Sequence, residues 1–333
     1  MRAAVLRKPG PMSAKSLAVE ERPVPEPGPD EVLLKVEACG VCRTDLHITM
    51  GELKPLRDEV TPGHQIVGRV AKLGGGNSAG RTAGERVGVS WLGGVDGTCL
   101  LCRKGRENLC DHPIFTGYTV NGGYAEYTVA RADFCFPLPN KPRGEELAPL
   151  LCAGIIGFRS LRVAGVERGD RVGLFGFGAS AHLTIDVLKA WGCDVYVSSR
   201  GESHRQLARE RGATWVGDAL DRPPVSLDCA VTFAPAGDVV IAALASLRKG
   251  GVVAINAIHL DRMPQFDYDT LLWGERQLRS VANMTREDAR DFIKEAMEIG
   301  IKPQTTLFSL DQVNEALNAV YTEAIDGAAV VVI

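Results

Sequence analysis

Short apolar runs of strand length, separated by glycine-rich and proline-rich turns, occupy the first 150 residues of the chain. Such runs lie at residues 31–36, 66–70 and 86–89, and a glycine-rich turn lies at 74–77. Apolar runs bounded by turn residues are typical of consecutive β-strands. A proline-rich connector at 22–29 should be extended, because each proline restricts the residue before it. The pattern predicts a small, barrel-like domain of short strands.

From residue 169 onward, strand-like runs alternate with helix-like runs. Strands are predicted at 169–175, 195–199, 227–233 and 251–255, with helices that end near 191 and span 203–212. Strands that alternate with helices form βαβ units and a parallel sheet. Two further helices, at 286–299 and 310–324, precede a terminal strand at 328–333, which could join either domain. The pattern therefore predicts an α/β protein.

Composition narrows the class of protein. A chain of 333 residues suits about two domains, and 45% hydrophobic with 24% charged residues is ordinary for a soluble globular protein. A net charge of −3 without long basic runs argues against nucleic acid as a partner. We expect no membrane span, because no apolar run approaches about 20 residues. The N-terminus lacks the apolar core of a signal peptide.

The cysteines suggest a metal site. Nine of them, unevenly spaced, favour metal binding and buried thiols over disulfides, and we expect a cytoplasmic protein. Cys42, His64 and Cys152 are far apart in sequence, but they form the ligand set of an open catalytic zinc site, in which a fourth position is left for water or substrate. The alternative is that all three are core residues, because free cysteine is commonly a small buried hydrophobe.

A glycine-rich turn between a predicted strand and a predicted helix has the spacing of a dinucleotide-binding motif. Gly176, Gly178 and Ala181 occupy its three fixed positions. The first glycine permits a tight turn, the second lets the backbone approach a pyrophosphate, and the third position lets helix and strand pack closely. The pyrophosphate would rest on the helix N-terminus. The predicted coenzyme contacts in this turn are Gly176, Phe177, Gly178, Ala179, Ser180 and Ala181.

The tip of the second strand predicts which coenzyme is used. NAD sites usually carry Asp or Glu about 20 residues beyond the glycine turn, where it binds the ribose hydroxyls. Ser199 and Arg200 stand at this tip instead, and an arginine can form charge-assisted hydrogen bonds with the 2′-phosphate of NADP. We therefore predict that NADP is preferred and that NAD can also serve. The alternative is a solvated surface arginine.

A second group of cysteines has the spacing of a structural metal knuckle. Cys99, Cys102 and Cys110 lie within twelve residues, and Asp96 precedes them at the position of a fourth ligand. Carboxylate oxygen is an acceptable zinc ligand, although it is harder than thiolate. These four side chains therefore predict a structural zinc site. The alternatives are His112 as the fourth ligand, or a lobe that has lost its metal.

Taken in order, these motifs resemble those of the zinc-dependent alcohol dehydrogenases of the medium-chain dehydrogenase/reductase superfamily. The resemblance covers nearly the whole chain and is strongest for the bacterial branch, in which a Trp-Leu pair (here Trp91-Leu92) precedes the structural lobe. It rests on the segments 40–47 (Gly-Val-Cys-Arg-Thr-Asp-Leu-His), 62–64 (Pro-Gly-His), 123–127 (Gly-Tyr-Ala-Glu-Tyr) and 152–154 (Cys-Ala-Gly), on the cysteine lobe and on the glycine turn.

The resemblance implies a fold and its domain boundaries. It implies a GroES-like β-barrel catalytic domain at residues 1–152, to which residues 281–333 return. It implies a Rossmann coenzyme-binding domain with a doubly wound parallel sheet at residues 153–280. A homo-oligomer, either a dimer or a tetramer, and a small alcohol or aldehyde substrate are further implications.

The resemblance also assigns roles around the first metal site. It implies that Cys42, His64 and Cys152 bind catalytic zinc and that Asp45 orients the imidazole of His64. The family usually has Glu directly after the histidine, and such a carboxylate can approach the zinc. Gln65 stands there in this chain, which puts a carboxylate-exchange step at the metal in question.

Further roles follow from the same resemblance. Thr44 and His47 would relay the proton of the alcohol to solvent, and Arg43 would pair with the coenzyme pyrophosphate. Trp91 would narrow the substrate pocket, although a core position is the alternative for this side chain. Asp96 replaces the first structural cysteine of the family, so retention of metal by the lobe needs to be tested.

Together these features predict an NAD(P)-dependent zinc alcohol dehydrogenase or aldehyde reductase that transfers hydride reversibly between an alcohol and the coenzyme. One rival is a zinc-free quinone or enone reductase of the same superfamily, which would not need both metal sites. A second rival is a non-catalytic nucleotide-binding protein, against which the intact pair of Thr44 and His47 argues.

Overall fold

The computed structural model describes residues 1–13, 15–325 and 327–333. The strands are β1 (Arg2–Val5), β2 (Ala18–Glu21), β3 (Glu31–Val41), β4 (Gln65–Leu73), β5 (Arg86–Val89), β6 (Leu92–Gly94), β7 (Ile114–Phe115), β8 (Tyr127–Arg131), β9 (Phe136–Pro137), β10 (Arg171–Phe175), β11 (Asp194–Ser198), β12 (Trp215–Gly217), β13 (Leu227–Thr232), β14 (Leu247–Ile255), β15 (Gln277–Ser280), β16 (Thr305–Ser309) and β17 (Ala328–Val332).

The helices are α1 (Arg43–Met50), α2 (Leu100–Arg103), α3 (Gly144–Leu147), α4 (Ala153–Ala164), α5 (Ala179–Ala190), α6 (Glu202–Glu210), α7 (Gly237–Ala245), α8 (Tyr268–Leu271), α9 (Arg286–Ile299) and α10 (Val313–Tyr321). Single turns of 3₁₀ helix lie at Glu107–Leu109, Ala132–Phe134, Ala148–Leu151 and Leu310–Gln312.

The chain divides into two compact units. The first contains Met1–Cys152, Thr285–Ile293 and Lys302–Ile333, and the second contains Ala153–Met284 and Lys294–Ile301. The sequence predicts a single return to the first domain at residue 281, so the two divisions differ over 281–284 and 294–301. The later part of α9 lies in the second unit because it packs there: Trp191 donates a hydrogen bond from Nε1 to Glu295 at 2.8 Å.

The first unit is built around a sheet in which the long strand β3 is central. The strands follow the order β16-β17-β3-β4-β5-β9, and β8 also pairs with β3. The inward residues Val32, Leu34 and Val36 of β3 are at most 4% exposed. The terminal strand β17 runs antiparallel to β3, with Ala329 opposite Val41. The terminal strand, which the sequence could assign to either domain, therefore lies in this unit.

The second unit contains a parallel sheet of six strands in the order β12-β11-β10-β13-β14-β15. Numbered within the unit, the order is 3-2-1-4-5-6, which is typical of dinucleotide-binding folds. Val172, Leu174 and Phe175 of β10 are fully buried, as expected for a parallel strand covered on both faces. The predicted alternation of strands and helices is therefore present.

Helix boundaries agree with the sequence to different degrees. Helix α9 spans the predicted residues, whereas the helix predicted at 310–324 begins with a 3₁₀ turn and its α-helical part is Val313–Tyr321. Helix α6 ends before the predicted Gly212, which has a positive φ of 81° and belongs to the turn beyond it. Helix α4 was not predicted from the sequence.

One apolar stretch corrects an expectation from the sequence. Residues Gly144–Ala164 are long and apolar enough to span a membrane by length and composition, whereas the sequence pattern predicts no such run. The stretch comprises α3, a 3₁₀ turn and α4, and 72% of its apolar window is buried inside the fold. Core helices of soluble proteins pass the same test, so burial in the core accounts for this composition.

Candidate active site

Cys42, His64 and Cys152 come together in the first unit. The Nε2 atom of His64 lies 3.4 Å from Cys42 Sγ and 3.3 Å from Cys152 Sγ, and the three ligand atoms all lie within 4.8 Å of one another. The imidazole is fully buried and both thiols are partly buried. Two sulfurs and an imidazole nitrogen are donors that zinc prefers, and three protein donors leave a fourth position open. The residues therefore fit a catalytic zinc ion.

The local sequence explains the position of Cys42. Strand β3 ends at Val41, and Cys42 keeps an extended backbone as the N-cap of α1. Asp45, three residues later, accepts a hydrogen bond at Oδ2 from the backbone N–H of Cys42 at 2.9 Å, which is half of a capping box. Gly51 ends the helix in the left-handed conformation with φ of 80°. The spacing Cys-x-x-Asp therefore determines where the helix begins and, because Cys42 is the N-cap residue, where its thiol lies.

The same carboxylate orients the imidazole. Asp45 Oδ1 accepts hydrogen bonds from His64 Nδ1 at 3.1 Å and from the backbone N–H of Gly63 at 3.2 Å. Asp45 and His64 are both completely buried. A hydrogen bond at Nδ1 leaves Nε2 as the nitrogen that faces the thiols. This geometry is what the resemblance implies for Asp45, and the role itself stays a prediction.

The turn before β4 requires a glycine. Gly63 has a φ of +96°, and a Cβ at this position would lie 2.8 Å from the Tyr124 ring and 2.9 Å from Cys39 Sγ. A larger residue would therefore displace His64. Gln65 follows as the first residue of β4 and is 2% exposed. Its amide packs so closely on Gly40 that a Cβ there would lie 2.9 Å from Gln65 Cδ.

Hydrogen bonding and charge set the protonation of the cluster. A hydrogen bond with the Cys152 thiol lowers the pKa of Cys42 well below its ordinary value, and the same contact raises the pKa of Cys152. Burial lowers the pKa of His64, but the Asp45 carboxylate and the Cys42 thiolate more than offset this effect and raise it well above its ordinary value. Thiolate is the form of cysteine that binds metal, so Cys42 is prepared for coordination.

The predicted proton path lies on α1. Thr44 is buried in its first turn, and His47 follows three residues later, on the same side of the helix. Nδ1 of His47 is hydrogen-bonded to the carboxylate of Glu52, just beyond the helix end. Arg43, predicted to pair with the coenzyme pyrophosphate, is exposed and forms an ion pair with Glu323 within the first unit.

Trp91 belongs to a group of three aromatic rings beside the predicted zinc ligands Cys42, His64 and Cys152, which are called the metal cluster below. Its ring centroid lies 5.3 Å from that of His64 in an edge-on arrangement. It stacks on Phe115 at 4.8 Å and on Tyr118 at 5.9 Å, with interplanar angles of 17° and 19°. The Tyr118 hydroxyl donates a hydrogen bond to the carbonyl of Lys54 at 2.6 Å. Trp91 is therefore held beside the metal cluster.

The cysteine lobe brings its four predicted ligands together. Their ligand atoms all lie within 4.8 Å of one another, and the four residues are Asp96, Cys99, Cys102 and Cys110. Asp96 Oδ1 accepts hydrogen bonds from the backbone N–H groups of Cys99 at 3.0 Å and Thr98 at 2.8 Å. These contacts lower the pKa of Asp96 and keep its carboxylate charged.

Backbone N–H groups also point at the sulfurs of the lobe. Cys110 Sγ accepts from the backbone N–H of Asp96 at 3.3 Å and of His112 at 3.4 Å, and Cys99 Sγ accepts from Cys102 at 3.4 Å. His112 thus supports the cluster through its backbone and is not one of the four grouped side chains. Donors aimed at sulfur stabilise thiolate charge, so the lobe fits a zinc ion.

An arginine at the start of α9 braces the lobe. Arg286 donates from Nη2 to Glu107 Oε2 at 2.7 Å, and from Nη1 to Asp133 Oδ2 at 2.8 Å. Its guanidinium lies 4.6 Å from the ring centroid of the buried Phe134. Glu107 lies between the second and third cysteines of the lobe, so this contact ties the lobe to residues far away in sequence.

The glycine turn of the second unit lies between β10 and α5, as predicted. Gly176 has a φ of +93°, and a Cβ there would lie 3.0 Å from the backbone nitrogen of Ala234. A Cβ at Gly178 would meet no protein atom within 4 Å, so the space beside the helix N-terminus is open to a pyrophosphate. The side chains of Phe177 and Ala181 are buried in the core, so only their backbone can contact a coenzyme.

The tip of β11 carries the residues predicted to select the coenzyme. Ser199 is buried and Arg200 is exposed, in the loop that leads to α6. Arg205 donates from Nη1 to the carbonyls of Ser199 at 3.0 Å and Arg200 at 3.2 Å. This arginine also pairs with Glu202 at 2.7 Å. Arg205 therefore holds the backbone of this loop in place, and the side chain of Arg200 projects from a fixed position.

Sequence reasoning missed several residues that support these sites. Glu52 holds His47, Phe115 and Tyr118 back Trp91, and Arg286 braces the lobe. An acidic residue five positions after a predicted relay histidine was a usable signal for Glu52. The sequence had no comparable signal for the others, because each contact joins segments that are far apart in the chain.

Comparisons with known proteins agree with this geometry. Family models match an alcohol dehydrogenase GroES-like domain at residues 28–140 and a zinc-binding dehydrogenase domain at residues 181–298. "Probable alcohol dehydrogenase AdhA" of Mycobacterium tuberculosis is 47% identical over 332 residues, which cover 98% of this chain and 96% of the relative.

Two solved structures are similar over the full length of the chain. One, named a "putative zinc-binding dehydrogenase", comes from Sinorhizobium meliloti 1021 and is bound to NADP, with a TM-score of 0.85 and 26% identity over 100% of this chain and 99% of that one. The other is acetophenone reductase from Geotrichum candidum in complex with NAD, with a TM-score of 0.85 and 26% identity over 100% and 97%. The two neighbours carry different coenzymes, so they support a nicotinamide coenzyme without selecting one.

A dinucleotide-binding unit accompanied by an open cluster of two thiols and an imidazole defines a metal-assisted, nicotinamide-dependent dehydrogenase. The chain belongs to the zinc-type alcohol dehydrogenase family of the medium-chain dehydrogenase/reductase superfamily. The predicted family, the pairing of a GroES-like with a Rossmann-type domain, and the use of zinc and NAD(P) are confirmed. The zinc-free reductase and the non-catalytic protein are not favoured by these relatives.

Proposed function

We propose that this protein oxidises alcohols reversibly to the corresponding carbonyl compounds, with zinc held by Cys42, His64 and Cys152. The observation that supports this most is the convergence of those three ligand atoms in front of a buried carboxylate, that of Asp45. Zinc, when bound, supplies a Lewis acid that polarises the substrate oxygen. A bound nicotinamide coenzyme would accept the hydride of the carbinol carbon, so the residues of this chain must provide a path for the hydroxyl proton.

We assign the exit of that proton to Thr44 and His47. Glu52 occupies Nδ1 of His47 and, as a carboxylate, accepts the hydrogen bond, so Nε2 is the nitrogen that can take up a proton. The His47 side chain is 20% exposed, so it can return the proton to solvent. Thr44 lies one helical turn earlier, where its hydroxyl can both accept and donate.

The test of the metal assignment is substitution of each ligand. Cys42→Ala, His64→Ala and Cys152→Ala should each abolish alcohol oxidation and remove one zinc per chain, while coenzyme binding is retained, because the glycine turn lies in the other unit. Cys135→Ala is the matched control, since it removes a thiol of the first unit that belongs to neither predicted metal site. Near wild-type turnover in any ligand variant would refute the assignment.

Coenzyme selection is a separate proposal. Arg200 is exposed at the tip of β11, and a serine and an arginine occupy positions 199 and 200, where NAD-binding relatives usually carry a carboxylate. We assign to Arg200 and Ser199 the recognition of that phosphate, and we expect NADP to be preferred over NAD. Arg43 is assigned to the pyrophosphate, which requires that it exchange its partner Glu323 for the coenzyme.

Kinetics with both coenzymes test this selection. The ratio of kcat/KM for NADP to that for NAD should exceed one in the wild type and fall in Arg200→Asp. Lys294→Asp makes the same change of charge at an exposed position on α9 and is the control. A wild-type preference for NAD, or an unchanged ratio in Arg200→Asp, would contradict the proposal.

The remaining assignments concern the lobe and the assembly. We assign a structural zinc ion to Asp96, Cys99, Cys102 and Cys110, whose ligand atoms are grouped as a zinc knuckle requires. The nine free cysteines are consistent with a reducing compartment, and we assign the protein to the cytoplasm. A homo-oligomer, a dimer or a tetramer, follows from the family resemblance, and light scattering of the purified protein tests it.

A further inference from the structure

The first unit contains a cavity of about 440 Å³ that is lined by none of the predicted metal ligands. Strands β1 and β8 form part of its lining, together with the proline-rich connector after β2 and the loop between β7 and β8. It is called the β1–β8 cavity below. Its volume falls within the range of about 300–1,000 Å³ that is typical of small-molecule pockets, so the cavity has room for a ligand.

The charged side chains of this lining are already engaged by other groups of the protein. Arg22 donates from Nη2 to Glu59 Oε2 at 2.6 Å, and Arg131 donates from Nε to Asp133 Oδ1 at 3.1 Å. The two other carboxylates also have partners, which are Lys72 for Glu26 and the backbone N–H of Gly28 for Glu31. Among the described residues, the lining therefore presents no charged side chain that lacks a partner.

Uncharged polar groups of the same lining, in contrast, have no partner. Thr61 and Thr116 are only 6% and 4% exposed, and their hydroxyls form no hydrogen bond within the part of the chain that the structure describes. The same is true of the Tyr127 hydroxyl and of the amide NH₂ group of Asn121. Leaving a buried polar group without a partner costs free energy, so a molecule that hydrogen-bonds to these groups would be held in the cavity.

These four groups belong to one connected part of the lining. Thr61 donates its backbone N–H to Asn121 Oδ1 at 3.1 Å, and Thr116 forms a β-bridge with the residue before Asn121. Tyr127 precedes Thr128, whose hydroxyl donates to the backbone carbonyl of Asn121 at 3.4 Å. A single small molecule could therefore reach several of the four groups at once.

A glycine leaves room beside one of these hydroxyls. A Cβ at Gly93 would lie 2.6 Å from Thr116 Oγ1, although Gly93 is not among the residues with a positive φ. Backbone conformation therefore does not require glycine at this position. Its effect is to keep the space next to the Thr116 hydroxyl open.

We propose that the β1–β8 cavity binds an uncharged molecule with several hydroxyl groups, a sugar or a cyclic polyol, at a site separate from the metal cluster. A hydroxyl both donates and accepts hydrogen bonds, and an amide NH₂ group donates two, so the four free groups match the hydroxyls of such a ligand. Aliphatic side chains of the lining pack on the C–H faces of its ring, and they include Val5, Val60 and Val129.

Titration of the coenzyme-free protein with methyl β-D-glucopyranoside, followed by NMR, tests the site without turnover. Methyl β-D-glucuronide has the same ring with a carboxylate, and tetrahydropyran-2-methanol has the ring with one hydroxyl. The glucopyranoside should bind with a dissociation constant in the millimolar range or tighter. Both comparison compounds should bind more weakly, the first because a charge finds no free partner and the second because it offers fewer hydrogen bonds.

Three substitutions remove the free hydroxyls with little change of shape. Thr61→Val, Thr116→Val and Tyr127→Phe should each weaken binding of the glucopyranoside by about 2- to 12-fold. None should lower the midpoint of urea unfolding, because the hydroxyls make no hydrogen bond to the described protein, whereas a structural hydroxyl would lower it. Thr232→Val is the matched control, since it removes a buried hydroxyl without a partner from the second unit, and it should bind the glucopyranoside like the wild type.

The active site is excluded as the place of binding by Cys42→Ala, which should bind the glucopyranoside as tightly as the wild type. Loss of binding in Cys42→Ala with full binding in the three cavity variants would place the sugar at the metal cluster and overturn the proposal. Equal binding of the glucopyranoside and tetrahydropyran-2-methanol to the wild type would leave the cavity to water and overturn it as well, even if a variant fails to fold. Oxidation of ethanol tests the proposed function independently of these results.

Discussion

Replacement of Asp45 by Asn separates the two tasks that this carboxylate performs. Both of its oxygens are acceptors: Oδ2 receives the backbone N–H of Cys42 at 2.9 Å, and Oδ1 receives His64 Nδ1 at 3.1 Å and the N–H of Gly63 at 3.2 Å. Asparagine has the same shape but offers one acceptor and one donor group. Whichever way the amide is turned, its NH₂ group faces another N–H group.

The magnitude follows from this mismatch. A buried donor without a partner costs about 1–3 kcal/mol, and Asp45 is completely buried. Loss of a carboxylate behind a metal-binding imidazole typically lowers metal affinity about 10- to 100-fold, which corresponds to about 1.4–2.7 kcal/mol. We therefore expect Asp45→Asn to lower both the free energy of unfolding and the affinity for catalytic zinc.

Competition for zinc with a chromogenic chelator measures the affinity, and urea denaturation measures the stability. Thr49→Val is the matched control, because Thr49 is also buried on α1 and donates from Oγ1 to the carbonyl of Asp45 at 2.7 Å. It should lose stability and keep zinc. If Asp45→Asn behaves in the same way, with zinc affinity within twofold of wild type, Asp45 is a helix cap and nothing more.

Three further predictions concern other sites. Asp96→Ala should release one of two zinc ions per chain and lower the melting temperature, whereas Asp96→Cys should hold metal more tightly; one zinc ion per chain in the wild type, unchanged in Asp96→Ala, would exclude a structural site. Glu52→Gln should slow alcohol oxidation most at low pH. The loss should be smaller than the contribution of a complete proton relay, which is roughly 10²-fold or more, and His47→Gln should slow oxidation further. A pH–rate profile of Glu52→Gln equal to that of the wild type would remove Glu52 from the proton path. Burial lowers the pKa of His182 to about 4, below the value near 6.5 that it has in the unfolded chain. The unfolded state therefore takes up a proton first, and the free energy of unfolding falls by about 3 kcal/mol in all as the pH drops from about 6.5 to about 4. His182→Leu should flatten this decline in urea unfolding, and an equally steep decline in the variant would exclude His182 as its cause.

The hydrophobic pattern predicted much of the fold because burial repeats with the geometry of each element. Helix α9 was predicted over Arg286–Ile299, since its apolar residues recur at helical spacing, and the parallel strands were visible as continuous apolar runs. The partner of the terminal strand was not predictable. Pairing of Ala329 with Val41 joins residues almost 290 positions apart, and nothing local in either segment specifies that register.

The metal sites were predictable to the extent that their chemistry is carried by residue type. Cysteine and histidine are metal ligands by residue type, so Cys42, His64 and Cys152 were recognisable as candidates in the sequence. Only the fold, however, brings their ligand atoms within 4.8 Å of one another. Aromatic residues have ordinary core roles. Phe115 and Tyr118 therefore carried no signal until their shared contact with Trp91 was known.

The two departures from the family pattern differ in what they do to charge. At the knuckle, Asp96 stands where the family has cysteine, and a carboxylate replaces a thiolate without loss of negative charge; hydrogen bonds from Cys99 and Thr98 keep its pKa low. Beside the catalytic cluster, Gln65 stands where the family usually has Glu, and one negative charge is absent. The amide is 2% exposed and packed on Gly40, and a neutral group is the cheaper one to bury in that position. On the proposed ligand assignments, the knuckle differs from the family in ligand hardness alone, whereas the catalytic site keeps the family's ligands and differs in its electrostatics. An exchange of ligands at the proposed catalytic zinc would therefore have to rely on water or substrate.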